Sequence, residues 1–231
     1  MKTHFEQLLA IEPKIISGKI LDLGSGRGDF LIEVTQKKAD ARGLEYNPIY
    51  IEESRRKAKE RGVAVEVVQG VAENMPFENC FFDFINICEV IEHVEEPEKL
   101  LAEVRRLLKP GGLAYLSVPN RFGFYDQHFH LILIGWLPRR WANFLIGVLG
   151  QHKDYSGVNG RQKITEMHYF TFGQISRLVK KFGFQIYDIR QVKINKKFGR
   201  LNLIIFFPYF FLRSFYLDSF HLLLTKIDKD E

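Results

Sequence analysis

The stretch Ile20-Leu21-Asp22-Leu23-Gly24-Ser25-Gly26-Arg27-Gly28 runs from an apolar strand into three alternating glycines, which puts a glycine-rich bend between a first strand and a first helix. Glycine lets backbone approach a ligand closely. In open α/β sheets ligands bind outside the carboxyl ends of the strands, where this bend falls. Working outward, apolar runs at 19–23, 41–45, 63–68, 82–88 and 113–118 alternate with helical patterns. Leu100, Leu101, Val104, Leu107 and Leu108 share one helical face, and Lys109-Pro110-Gly111-Gly112 stops that helix. Strands alternating with helices predict a parallel, doubly wound α/β sheet with helices on both faces.

After Val118 the pattern changes, because about 50 residues pass before the next clear helix, at 172–182, and an ordinary connection is far shorter. Residues 121–167 are therefore expected to form an inserted lid or acceptor subdomain after the fifth strand. Residues 185–192 read as a strand, the Phe-rich stretch 201–216 as a helix, and 220–227 as a final strand. The expectation is one domain over residues 1–231, with a hydrophobic helical insertion at 198–218 before the last strand.

Charge divides the chain at Asn120. Residues 1–120 carry 16 Lys/Arg against 20 Asp/Glu, whereas residues 121–231 carry 17 against 8. Of 21 phenylalanines, 15 lie in the second half, with both tryptophans, Trp136 and Trp141. A basic, aromatic half points to an anionic membrane surface or a nucleic acid. No apolar window reaches the ~20 residues needed to span a bilayer. Residues 129–149 are interrupted by Pro138-Arg139-Arg140, and residues 201–224 by Pro208, Arg213, Asp218 and His221. Cys80 and Cys88 cannot build a disulfide framework, and no leader pattern opens the sequence, so a cytoplasmic location, in solution or at a membrane surface, is expected.

Two cofactor classes compete for the bend. A dinucleotide fingerprint would read G-x-G-x-x-G, with a pyrophosphate on the helix N-terminus. Here the pattern is G-x-G-x-G with Asp22 just before it, and an acid there repels phosphate but suits an ammonium group. The motifs together resemble the class I S-adenosylmethionine-dependent methyltransferases of the type 11, ubiquinone-pathway O-methyltransferase kind, over most of residues 18–118 and more weakly at 168–192. The resemblance implies a Rossmann-like, seven-stranded, mostly parallel sheet. It implies that Asp22, Gly24, Ser25, Gly26 and Gly28 hold S-adenosylmethionine, and that Glu45, with Tyr46 beside it, takes both ribose hydroxyls. It also implies that Ala72 and Glu73 flank the adenine and that Cys88 ends the fourth strand near the methionine part. The family often has Asp before the Ala-Glu pair; this chain has Val71.

Methyl transfer requires the acceptor atom in line with the sulfonium methyl, and an oxygen acceptor must also lose a proton to a base or with help from a metal. Glu89-Val90-Ile91-Glu92-His93 follows the fourth strand, and in a helical turn Glu89, Glu92 and His93 would share a face. The string resembles that of ubiquinone-pathway O-methyltransferases and of small-RNA 2′-O-methyltransferases, which implies Mg²⁺ on Glu89, Glu92 and His93. His168, in Met167-His168-Tyr169-Phe170-Thr171, is a candidate further ligand or base. His93, His168 and His128 are the catalytic candidates, with Asn120 and Tyr125 beside the acceptor.

The aromatics of the second half clump with Leu and Ile instead of alternating with Arg, which favours an apolar surface or acceptor over nucleic acid. The sequence thus predicts an S-adenosylmethionine-dependent O-methyltransferase for an apolar or lipid-linked small molecule, with peripheral membrane contact or a homodimer as its associations. The alternatives are a metal-dependent RNA 2′-O-methyltransferase, an NAD-type oxidoreductase and a non-catalytic cofactor-binding protein.

Overall fold

The computed structural model describes residues 4–150, 162–198, 208–213, 215 and 217–227. Helix α1 (His4–Leu9) and a 3-10 turn (Pro13–Ile16) lead into β1 (Lys19–Leu23), α2 (Asp29–Gln36), β2 (Asp40–Glu45), α3 (Pro48–Glu60), β3 (Glu66–Gln69) and β4 (Phe82–Ile87). There follow α4 (Pro97–Leu107) and β5 (Leu108–Pro119), a small hairpin of β6 (Tyr125–Asp126) and β7 (Leu131–Ile132), a 3-10 turn (Ile134–Trp136) and α5 (Arg139–Val148). The chain closes with α6 (Phe172–Lys181), β8 (Phe184–Asp188), α7 (Ile189–Phe198) and β9 (Ser219–Lys226). Seven strands form one sheet in the order β3-β2-β1-β4-β5-β9-β8. All neighbours are parallel except β9, which runs antiparallel to both β5 and β8. The expected doubly wound, mostly parallel sheet is what the chain forms.

Alternate residues of the central strands feed the two faces, as the strand period requires. Leu21, Leu23, Ile85, Ile87 and Leu116 pack with Leu100, Leu101 and Val104 of α4 and Ile175 and Val179 of α6. On the other face Ile20, Phe84 and Tyr115 meet Phe5 and Leu8 of α1, Val34 of α2 and Ile189 of α7. Pro97 opens α4 at a position where its missing N–H costs nothing, and Thr171 with Gln174 closes a capping box at the start of α6.

Three boundaries differ from the sequence reading. The third strand starts at Glu66, not residue 63, because the Val63 N–H still donates to Ala58 O at 3.0 Å and belongs to the end of α3. Residues 109–112 lie within β5 as a bulge: Phe82 pairs with Leu108 and Phe84 with Leu113. The strand expected at 185–192 ends at Asp188, whose Oδ1 accepts from the N–H of Arg190 at 3.0 Å and of Gln191 at 3.3 Å and so caps a helix instead. Of the expected helix at 201–216, residues 208–213 and 215 are helical, and the rest lies outside the described residues.

The excursion after β5 leaves the sheet at Asn120 and returns at Phe170, which bridges back to Asn120. Within it Phe129, Ile134, Ala142, Ile146, Ile164 and Met167 form an apolar core of their own. Residues 151–161 of the expected lid lie outside the described residues.

Candidate functional site

β1 ends against the glycine bend, where Gly24, Gly26 and Gly28 take φ values of 66°, 52° and 79°. These lie in the left-handed region that side chains resist. The N–H groups of Gly24 and Ser25 donate to Leu44 O at 2.8 and 3.0 Å, tying the bend to β2. Glu45, the buried last residue of β2, accepts from the Gly26 N–H through Oε2 at 2.8 Å and from the Asn47 N–H through Oε1 at 2.9 Å. One carboxylate thus fixes the middle of the bend and the start of α3 together. Each oxygen keeps a further lone pair for a hydroxyl donor.

Asp22 is buried on β1, and its Oδ1 accepts from Asn86 Nδ2 of β4 at 2.7 Å. Burial pushes the Asp22 carboxyl up to about 7, the Asn86 hydrogen bond lowers it, and the nearby Glu45 charge raises it. A cation arriving beside Asp22 therefore meets a carboxyl that titrates near neutrality. Asn86 was missed in the sequence, where its signal was a lone amide inside the apolar strand Phe82–Ile87.

The other cofactor candidates are placed unevenly. Ser25 is buried, and its hydroxyl has no hydrogen-bond partner among the described residues; a Cβ on Gly43 would come within 2.8 Å of it. Tyr46 is exposed beside Glu45, and Ala72 is buried within the loop after β3. Glu73 Oε1 accepts from the Glu95 N–H at 2.9 Å, joining the loop after β3 to the approach to α4. Cys88 packs with the apolar face that holds Phe84 and Tyr115, and burial pushes its thiol up to about 12, which makes it an unreactive neutral group.

On the acceptor side the helical turn expected at 89–93 is absent. Glu89 sits at φ 55° and turns the chain, with its N–H on Ser117 Oγ at 2.9 Å, and its exposed carboxylate separates from the other two candidates. The structure instead groups Glu92, His93 and His128, whose ligand atoms lie within 4.8 Å of one another. His128 Nε2 is 3.4 Å and His93 Nε2 3.8 Å from Oε1 of the fully buried Glu92. His168 is outside that group; its N–H donates to Glu92 O at 2.9 Å and its ring stacks on Phe170.

Around His128 the insertion builds a buried polar shell. Asp126 Oδ1 accepts from the N–H groups of His128 and Phe129 at 2.9 and 2.8 Å, and Asp126 Oδ2 accepts from the Tyr169 hydroxyl at 2.6 Å. Burial and the adjacent Asp126 raise the Tyr169 phenol well above its ordinary range, so it stays a neutral donor. The Arg139 guanidinium lies 4.5 Å over the Tyr169 ring, and burial pulls it down to about 10. Glu89, Glu92, His128, Asn120, Tyr125 and Gly135 line one cleft between the end of β4 and the insertion. Asn120 Nδ2 donates to Leu217 O at 2.7 Å, binding the cleft wall to the strand entering β9.

Residues 21–116 match the protein family described as "Methyltransferase domain". The chain is 31% identical over 136 residues to the ubiquinone biosynthesis O-methyltransferase of Cereibacter sphaeroides, covering 55% of this chain and 54% of that protein. It is 26% identical over 189 residues to the ubiquinone/menaquinone biosynthesis C-methyltransferase UbiE of Bartonella tribocorum, covering 78% and 69%. The chain spans about half the length of the O-methyltransferases it matches. Its fold is similar to that of an S-adenosylmethionine dependent methyltransferase from Mesorhizobium loti, with a TM-score of 0.61 and 16% identity over 95% of each chain. The sheet order, the glycine bend with its two acids and the match over residues 21–116 agree: this part of the chain is similar to the methyltransferase domain, and the fold is that of the solved S-adenosylmethionine dependent methyltransferase.

Proposed function

We propose that this protein transfers the methyl group of S-adenosylmethionine to an oxygen of an apolar small molecule. The observation that supports it most is the Glu92, His93 and His128 group, which opens on the same carboxyl edge of the sheet as the glycine bend. In this reading Glu45 accepts from the two ribose hydroxyls, and Asp22, held by Asn86, faces the ammonium of the methionine part. Ser25, Gly24, Gly26 and Gly28 contact the cofactor through the bend, with Ala72 and Tyr46 along the nucleoside. Glu73, whose Oε1 accepts from the Glu95 N–H, flanks the adenine, and Cys88 directly follows β4 near the methionine part.

The acceptor hydroxyl enters the cleft beside Glu92 and gives its proton to His128 Nε2, and the Glu92 carboxylate stabilises the imidazolium that forms. Gln162 Oε1 lies 2.8 Å from His93 Nδ1, which holds that ring with Nε2 turned toward Glu92. In place of that proton transfer, the same three side chains would hold a divalent cation, since their ligand atoms lie within 4.8 Å of one another; His128 Nε2 cannot both bind an ion and take the proton. One carboxylate and two imidazoles suit zinc or a similar ion better than Mg²⁺, which prefers oxygen ligands. Such an ion, when bound, would polarise the acceptor oxygen and lower its pKa.

A long-tailed quinol or catechol incubated with S-adenosylmethionine tests the reading, with the methylated product and S-adenosylhomocysteine followed by mass spectrometry. Turnover that His128→Ala removes supports it. Cofactor binding without methylation of any hydroxylated apolar acceptor would count against it. The RNA reading fits less well, because the aromatic surface is apolar and continuous instead of interleaved with Arg. An NAD-type enzyme would have to seat a pyrophosphate beside Asp22 and Glu45.

A further inference from the structure

We propose that the insertion and the Phe-rich helical segment together form a docking surface for an anionic lipid bilayer. Helix α5 is apolar on two sides. Ala142 and Ile146 face the core of the insertion, while Trp141, Phe144, Leu145 and Val148, at helical spacing, face outward. Trp141 is 68% and Phe144 66% exposed, unusual for side chains of this size. Ile132, Leu133, Trp136 and Leu137 extend the patch along the hairpin and the turn before α5.

A second segment, distant in sequence, completes the surface. Phe210, Phe211, Leu212 and Phe215 are exposed on the helical residues 208–213 and 215. Their helix is held to the sheet from its other side: the Tyr209 hydroxyl donates to Asp188 Oδ2 at 2.7 Å, and Arg213 lies 3.5 Å over the Phe172 ring. Phe215 meets Trp136 at 5.8 Å between ring centroids, and Phe122 lies 5.2 Å from Trp136 and 6.1 Å from Phe215. Two separate stretches of chain therefore present one continuous apolar face, larger than isolated surface hydrophobics explain.

Charge decides the occupant. No Asp or Glu occurs in the sequence from residue 127 to 153 or from 189 to 217, the stretches that include the exposed apolar residues of the face. The same stretches carry Arg140, Lys193, Lys196, Lys197 and Arg200. A second copy of the chain would oppose these cations with its own, whereas anionic headgroups complement them. Trp136 and Trp141 place indoles at the depth where tryptophan gathers in bilayers. No helix among the described residues is long and apolar enough to cross a membrane, so the contact is at the surface. Gly135, next to Trp136, also lines the acceptor cleft, so a bound bilayer would lie against the cleft's roof. Delivery of an apolar acceptor along that path rests on the function proposed above; the docking surface does not.

The two tryptophans are the only ones in the chain, so tryptophan emission reports on this surface alone. The 231-residue chain, without cofactor or acceptor, is mixed with phosphatidylcholine vesicles, with or without phosphatidylglycerol, and followed by tryptophan emission and co-sedimentation. The expected result is a blue shift and pelleting with the anionic vesicles, weakened by salt. Phe144→Asp with Val148→Asp should reduce vesicle affinity about tenfold or more while S-adenosylmethionine binding is unchanged. Three results would overturn the proposal: no association with either vesicle, equal association with both, or full association of the double variant. A blue shift without lipid that grows with protein concentration would identify the face as a self-association surface and overturn it as well. Vesicle binding without methyl transfer would leave the surface standing and remove the function proposed above.

Discussion

Asn86 Nδ2 donates to Asp22 Oδ1 at 2.7 Å, joining two buried side chains 64 residues apart on neighbouring parallel strands. The bond opposes the effect of burial on Asp22, whose carboxyl stands at about 7. Replacing Asn86 by Leu removes the opposing donor and moves Asp22 further up. At neutral pH the variant should hold less of the ionised form and bind S-adenosylmethionine about tenfold more weakly, a loss of ~1.4 kcal/mol read by calorimetric titration.

The same carboxyl sets a pH dependence. Its pKa in the folded chain lies above the 3.8 of a free aspartate, so ionising Asp22 costs the ligand-free protein stability as pH rises from about 4 to 7. A cofactor ammonium favours the ionised form and reverses that cost. Cofactor affinity should therefore fall as pH drops below about 7, by about tenfold per unit at most, and Asp22→Asn should flatten the profile. Cofactor-induced shifts in melting temperature at several pH values check this.

Glu45→Ala removes the acceptor of both the Gly26 and the Asn47 N–H. Leaving buried donors unpaired costs about 1–3 kcal/mol each, so the variant should lose stability in urea unfolding as well as cofactor affinity. Glu45→Gln, which keeps one acceptor oxygen, should fall between.

His128→Ala and Glu92→Gln should lower turnover by about 10²–10⁴-fold and leave cofactor affinity near that of the native chain. Glu89→Gln should cost less, because its carboxylate stands apart from the pair. If the three side chains hold a cation, a chelator should lower the melting temperature of the native protein and leave that of His128→Ala unchanged.

The insertion's core should open separately from the sheet. Ile146→Ala creates a cavity among Phe129, Ile134 and Met167, at a cost of about 2–5 kcal/mol. Hydrogen exchange should then lose protection across β6, β7 and α5 while β1 and β4 keep theirs.

Much of the cofactor side was legible in the sequence because its information is local. The bend, Asp22 and Glu45 stand in fixed relation to strand ends, and strand ends can be read from apolar runs. Asn86 was not, since only the β1–β4 pairing shows that its amide faces Asp22. The acceptor side depends on how a long excursion closes. His93 and His128 were recognised separately, but their convergence on Glu92 follows from the contact between Asn120 and Phe170 that brings the insertion back over β4. Glu89 was misassigned because a helical turn was assumed where the backbone takes a left-handed φ. Helix α7 was misread because the capping role of Asp188 leaves little mark among the β-favouring residues at 189–192.

The departure and return of the excursion are neighbours: the Arg121 N–H donates to Phe170 O at 2.9 Å. A tract entering and leaving through one doorway makes little demand on the register of the strands beneath it. Its length and contents can therefore diverge without disturbing the glycine bend at the end of β1. Such a doorway lets the tract be exchanged while the sheet and its glycine bend stay as they are.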